Sequence, residues 1–135
     1  MIEKIFRGEC FTLVHCEGAI KSLTESLKSI SPAKKQKSMI ISLKLQIERL
    51  TSGKRSAELS VRKEGLLPSF KSRPPKNFWA IKKIPIRGYY WESERKEMTY
   101  FISHYIYKDF DQLHDSDTKK VCNNWNRIEE LLDES

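Results

Sequence analysis

Cysteine is scarce in this chain and never paired. Cys10, Cys16 and Cys122 are odd in number and no two form a CxxC motif. That speaks against a disulfide framework and against a structural zinc site. Each reads as a small buried hydrophobe, and a reducing cytoplasm is the expected compartment. No metal or cofactor is expected. Long apolar runs are missing too. Nothing approaches the roughly 18 residues of a membrane span, so no membrane partner is expected, and the N-terminus lacks the apolar core of a signal peptide. Acid is nearly absent from one region. Between residues 51 and 90 only Glu58 and Glu64 stand against Lys54, Arg55, Arg62, Lys63, Lys71, Arg73, Lys76, Lys82, Lys83 and Arg87. Residues 91–135 are net acidic, yet the chain carries a formal net charge of +7. A basic region of this kind suits an anionic partner.

The 135 residues are enough for one domain, residues 1–135, with a single core. Cys10–His15 reads as a strand that extends back toward Ile5, with a bulge or bend at Gly8. Over residues 18–30 the period becomes helical, with Ile20, Leu23, Leu27 and Ile30 on one stripe. Ser31 then offers an N-cap and Pro32 a first helical position. Ile40, Leu43, Ile47 and Leu50 carry the stripe of a second helix, which Gly53 ends. The pair forms an αα-hairpin whose apolar faces are packing surface more than DNA-reading surface. Residues 52–77 hold Gly65, Pro68, Pro74 and Pro75 and no sustained period. They read as a long basic loop with a helical turn near Ala57–Val61. Its cations suit either a phosphate backbone or plain solvation. After Lys108 the chain turns through residues 109–115. Asp115, Ser116 or Asp117 caps a last helix with the stripe Val121, Trp125, Ile128 and Leu132.

The stretch from Phe78 to Lys108 is rich in aromatic and β-branched residues, which favour a pleated, half-buried surface. It predicts three antiparallel strands, Phe78–Lys83, Ile86–Trp91 and Met98–Tyr107, with Pro85 in a tight connection and Ser93–Glu97 as a turn. Cations interleaved with aromatics on a sheet suit nucleic acid, because cations meet phosphate and flat rings stack on bases. The same composition also describes a basic hydrophobic sheet with solvated lysines at its strand ends. The fold class is α+β: an antiparallel sheet with an N-terminal helical hairpin packed on one face, and a C-terminal helix.

In this order of elements the chain resembles the RelE/ParE superfamily of bacterial type II toxins, nearest to its HigB-like and phage-derived members. The resemblance covers most of residues 1–130 and is sharpest over residues 78–108. Phe78-Trp79-Ala80-Ile81 followed by Ile86-Arg87-Gly88-Tyr89-Tyr90 is similar to the family's strand pair that carries an arginine beside an aromatic. The run from Tyr100 to Lys108 is similar to its last strand, hydrophobic and then ending in a His/Tyr/Lys cluster. The resemblance implies a RelE-like fold and a ribosome-dependent mRNA endonuclease that inhibits translation. The implied partners are a small antitoxin protein, the ribosome and mRNA. Arg87 would steady the scissile phosphate, His104 and Tyr107 would lie where an acid is needed, and Lys108 would add charge stabilisation. Lys82 and Lys83 match basic positions that meet RNA, and Tyr89 or Trp91 would stack on a base. RNA supplies its own nucleophile, the 2′-OH, so the protein has to provide only a base, an acid and cations for the phosphorane.

Strand alternation sorts these residues by face. Arg87, Tyr89 and Trp91 share one face and are expected to be the exposed set. His104, Ile106 and Lys108 share a face, with Tyr105 and Tyr107 on the other. Tyr100 and Ile102 alternate onto the His104 face, which makes it look like core. A non-enzymatic alternative therefore stands beside the nuclease: a ParE-like or RNA-binding interaction protein with the same fold.

Overall fold

The computed structural model describes residues 2–108 and 113–131; residues 109–112 of the turn expected over 109–115, and Leu132 of the last stripe, lie outside them. The architecture is α+β. Strands β1 (Ile5–Arg7) and β2 (Thr12–His15) are followed by helices α1 (Ala19–Leu27) and α2 (Ala33–Thr51). Then come β3 (Val61–Leu66), β4 (Asn77–Lys83), β5 (Ile86–Glu92) and β6 (Thr99–Tyr107), and finally α3 (Asp115–Trp125), which continues as a wider π-helical turn, Asn126–Glu130. The sheet order is β1-β2-β6-β5-β4-β3. The sheet is mixed, not wholly antiparallel: β2 runs parallel to β6, and every other pair is antiparallel. A parallel pair needs a long crossover, and everything from α1 to β5 lies between those two strands.

Two local corrections follow. Gly8 does not bulge one strand but turns a hairpin between β1 and β2, its N–H bonded to Phe11 O at 2.9 Å. It packs against the end of α2, where an added Cβ would sit 2.1 Å from Thr51 Oγ1. The presumed basic loop holds an edge strand, β3, and Ala57–Val61 is not helical. The cations Arg62 and Lys63 alternate across the sheet there, so no apolar alternation marks the strand. Helix α2 begins one residue later than expected, with Pro32 as its N-cap. It ends at Thr51 with Ser52 as its C-cap, and Gly53 follows at φ 72°, a left-handed conformation that suits glycine.

Both faces of the sheet are covered. On one, α1 and α2 lay Leu23, Leu27, Leu43 and Ile47 against Leu13, Ile81, Ile86, Ile102 and Tyr105. Each such buried aliphatic side chain stabilises by about 1.5–3 kcal/mol. On the other, α3 brings Val121, Trp125 and Ile128 onto Phe78, Tyr89, Trp91 and Phe101. Among the described residues no helix is long and apolar enough to cross a membrane.

Candidate functional site

The register of β5 on β6 breaks once. Tyr89 faces His104, but Tyr90 faces Ile102, so Ser103 is an extra residue, a β-bulge. One extra residue reverses the alternation beyond it. Tyr100 and Ile102 therefore stay on the α1–α2 face, while His104, Ile106 and Lys108 move to the α3 face, beside Arg87 and Tyr89. Strict alternation had placed His104 with Tyr100 and Ile102; the bulge overturns that. The freed N–H of Tyr105 is taken up by Ser22 Oγ of α1 at 2.9 Å.

The α3 face of the sheet thus gathers a polar group inside an otherwise apolar layer. Arg87 is 1% exposed, and its Nη1 lies 3.9 Å from Oε1 of Glu64 on β3, itself shielded from solvent. Arg62 Nε approaches the same oxygen to 3.7 Å. Tyr89 lies beside Arg87, and its ring tilts against His104 at 5.2 Å. Burial first, then the carboxylates of Asp117 and Glu64, push its phenol well above the ordinary range. Lys108 closes the group. Burial and the Arg87 guanidinium pull its ammonium below the ordinary lysine value, against the opposing pull of Asp117 and Glu64.

His104 sits in a chain of hydrogen bonds between β6 and α3. Its Nε2 meets Asp117 Oδ1 at 2.9 Å, and its Nδ1 meets Ser103 Oγ at 2.8 Å. Asn124 Nδ2 donates to the same hydroxyl at 2.8 Å, and Arg127 Nη2 donates to Asn124 Oδ1 at 3.0 Å. In the neutral ring Nε2–H donates to Asp117 and the Ser103 O–H donates to Nδ1; in the imidazolium both nitrogens donate, Nδ1–H to the Ser103 hydroxyl. Burial alone would raise the Asp117 carboxyl, but the hydrogen bond and charge of His104, with Lys108 and His114, hold it below its ordinary value. Asp117 stands in the first turn of α3, where the helix dipole also favours an anion.

The expected site residues divide as follows. Arg87, Tyr89, His104 and Lys108 are brought together. Arg87, Tyr89 and Trp91 do not form an exposed set: all three are buried, Tyr89 and Trp91 in the cluster that α3 joins and Arg87 against Glu64 of β3. Trp91 offers no surface to a base, and its Nε1 donates to Glu129 at 2.9 Å. Lys82 lies beside Arg87 across β4–β5, half-buried. Lys83 alternates to the opposite face, by Gln46 and Arg49 of α2. Tyr107 also belongs to that opposite face and is 43% exposed, so it is apart from His104. Glu64, Asp117, Ser103 and Asn124 belong to the group and were not anticipated. Glu64 had one signal, as one of two acids in a basic stretch. Asp117 read only as a helix cap.

Among the described residues no cluster of histidine, cysteine and carboxylate is arranged to hold a metal ion. Chemically the group offers two close cations for a phosphate, a lysine of lowered basicity and a carboxylate-bound imidazole. Comparison with known proteins returns no matching family model, no similar curated protein and no similar solved structure.

Proposed function

We propose that this protein is a metal-independent endoribonuclease of the RelE/ParE toxin type, acting on ribosome-bound mRNA and silenced by a small antitoxin. The observation that carries the reading is the bulge at Ser103, which sets His104 and Lys108 on the face of Arg87 and Tyr89. The order of strand, helical hairpin, antiparallel strands and closing helix accords with it. In the reaction the 2′-OH gives its proton to Lys108 in the neutral form, and O2′ attacks phosphorus. Arg87 holds the extra charge of the phosphorane. The 5′-oxygen leaves with a proton from imidazolium His104, producing a 2′,3′-cyclic phosphate and a 5′-hydroxyl. Both ring nitrogens of His104 are engaged in the closed group, so Nε2 must exchange Asp117 for substrate. Cleavage therefore requires the first turn of α3 to lift from β6.

The burial of Arg87, Tyr89 and His104 favours a second reading, an interaction protein that keeps the fold without cleavage. Induced expression of wild type beside Arg87→Ala, with primer extension on a cellular mRNA, separates the two. Growth arrest with new ribosome-dependent 5′ ends, both lost in the variant, supports the nuclease. Arrest without cleavage supports the second reading.

A further inference from the structure

We infer that the open cleft on the α1–α2 face is a base-binding subsite that takes guanine from single-stranded RNA. The choice of RNA rests on the nuclease reading; the cleft itself does not. The helical hairpin covers only part of its face. Beyond it lies a cleft of about 560 Å³, with Lys63, Trp79, Tyr90, Glu92 and Tyr100 among its lining residues. Lys63 faces Trp79, Trp79 faces Tyr90, and Glu92 faces Tyr100 across the strands, so three aromatic side chains lie together under the cleft between Lys63 and Glu92; Lys76 also lines it, its ammonium held by Glu94 at 2.7 Å. The floor is rigid: Tyr90 and Tyr100 meet edge to face at 5.5 Å, and Phe11 stacks behind Tyr100 at 4.6 Å.

Aromatic floors stack any base. The flanking charges supply the selection. Lys63 and Glu92 are exposed, and neither makes an ion pair among the described residues. A carboxylate only accepts hydrogen bonds. Guanine alone among the four bases presents two adjacent donors, N1–H and N2–H, which one carboxylate accepts together. Uracil and cytosine set a carbonyl against it, and adenine offers one donor beside a lone pair. Glu92 therefore selects guanine, and Lys63 receives the attached phosphate. Lys63 and Glu64 are neighbours on the edge strand β3, one facing the cleft and the other the buried group. RNA rounding that edge passes from the first to the second.

Trp79 reports on the cleft, because Trp91 and Trp125 are 0% and 1% exposed. The experiment titrates the full chain with GMP, AMP, CMP, UMP and a single-stranded RNA tetramer holding one guanine. Tryptophan emission is followed, with calorimetry as the independent readout. GMP is expected to quench saturably and to bind at least about tenfold tighter than the other three, and the tetramer to bind tighter than GMP. Glu92→Gln is expected to abolish the preference, and Lys63→Ala to weaken GMP but not guanosine. Arg87→Ala is expected to bind GMP as wild type does. Equal response to all four nucleotides, no saturable response, or quenching that survives in Trp79→Phe overturns the inference. GMP binding without tetramer binding overturns RNA as the source. Guanine selection in a protein that cleaves no RNA leaves this inference standing and removes the nuclease reading.

Discussion

The carboxylate of Asp117 meets Nε2 of His104 at 2.9 Å, joining the first turn of α3 to the far side of the bulge in β6. The contact latches the helix over the polar group and fixes the imidazole. Because the folded Asp117 carboxyl titrates below its ordinary value, it contributes stability that is complete above the unfolded carboxylate range. That contribution is lost as pH falls through the lowered folded value. Asp117→Asn is expected to destabilise by about 1–2 kcal/mol at neutral pH, with the difference closing in acid. Urea unfolding of both proteins from pH 7 to pH 3 checks this, and a pH-independent difference would sink the linkage.

His15 gives a second pH dependence of opposite chemistry. It is fully buried, its Nδ1 near Lys4 O at 3.2 Å and its Nε2 at 2.7 Å from the Tyr105 hydroxyl. Burial, outweighing its backbone hydrogen bonds, lowers its pKa to about 4. Between that value and the unfolded one near 6.5 the unfolded chain binds a proton that the folded chain refuses. Stability therefore falls as pH drops through this window, by about 3 kcal/mol in full. His15→Gln is expected to flatten the slope between pH 6.5 and pH 4, as measured by denaturant midpoints.

Gly88 is the one residue of β5 whose missing side chain makes room for another. A Cβ there would come within 2.7 Å of the Tyr105 ring, which lies across the strand. Tyr105 is itself buried and held by His15, so the ring has little freedom to yield. Gly88→Ala is expected to cost about 1–3 kcal/mol, read from thermal melts followed by circular dichroism. Tyr105→Leu in the same background should recover part of the loss.

Glu129, fully buried in the π-helical turn that continues α3, is a second anchor for that helix. Its carboxylate accepts from Trp91 Nε1, Ser93 Oγ and the backbone N–H groups of Glu94 and Arg95, at 2.9, 3.1, 2.9 and 2.9 Å. The Arg95 guanidinium also reaches the Glu129 carbonyl. Glu129→Ala strands these donors and is expected to cost about 3 kcal/mol. Backbone amides of the β5–β6 turn should then exchange hydrogen faster, while those of α2 keep their protection. Uniform loss of protection would show that α3 is not a separable element.

Helices α1 and α2 and strands β4, β5 and β6 were legible in the chain itself. Their apolar residues recur at helical spacing, or crowd into β-branched and aromatic runs flanked by Pro85 and Gly53. Strand β3 was not legible. It is an edge strand whose alternate residues, Arg62 and Glu64 against Lys63, are all charged, and its existence is decided by pairing with β4. The composition of the candidate group was half legible. Arg87, Tyr89, His104 and Lys108 stand out as polar residues set among strand formers. Their partners Glu64 and Asp117 come from elements distant in sequence.

What local pattern determined, then, is which segments are helix and which are strand, β3 excepted, because period and backbone preference are local properties. Which faces are buried was decided only in three dimensions. A single extra residue at Ser103 moves His104 to the face of Arg87, and the docking of α3 turns that face from surface into interior. Neither leaves a trace in hydrophobic period, since a bulge is a matter of register between two strands and docking a matter of shape between two layers.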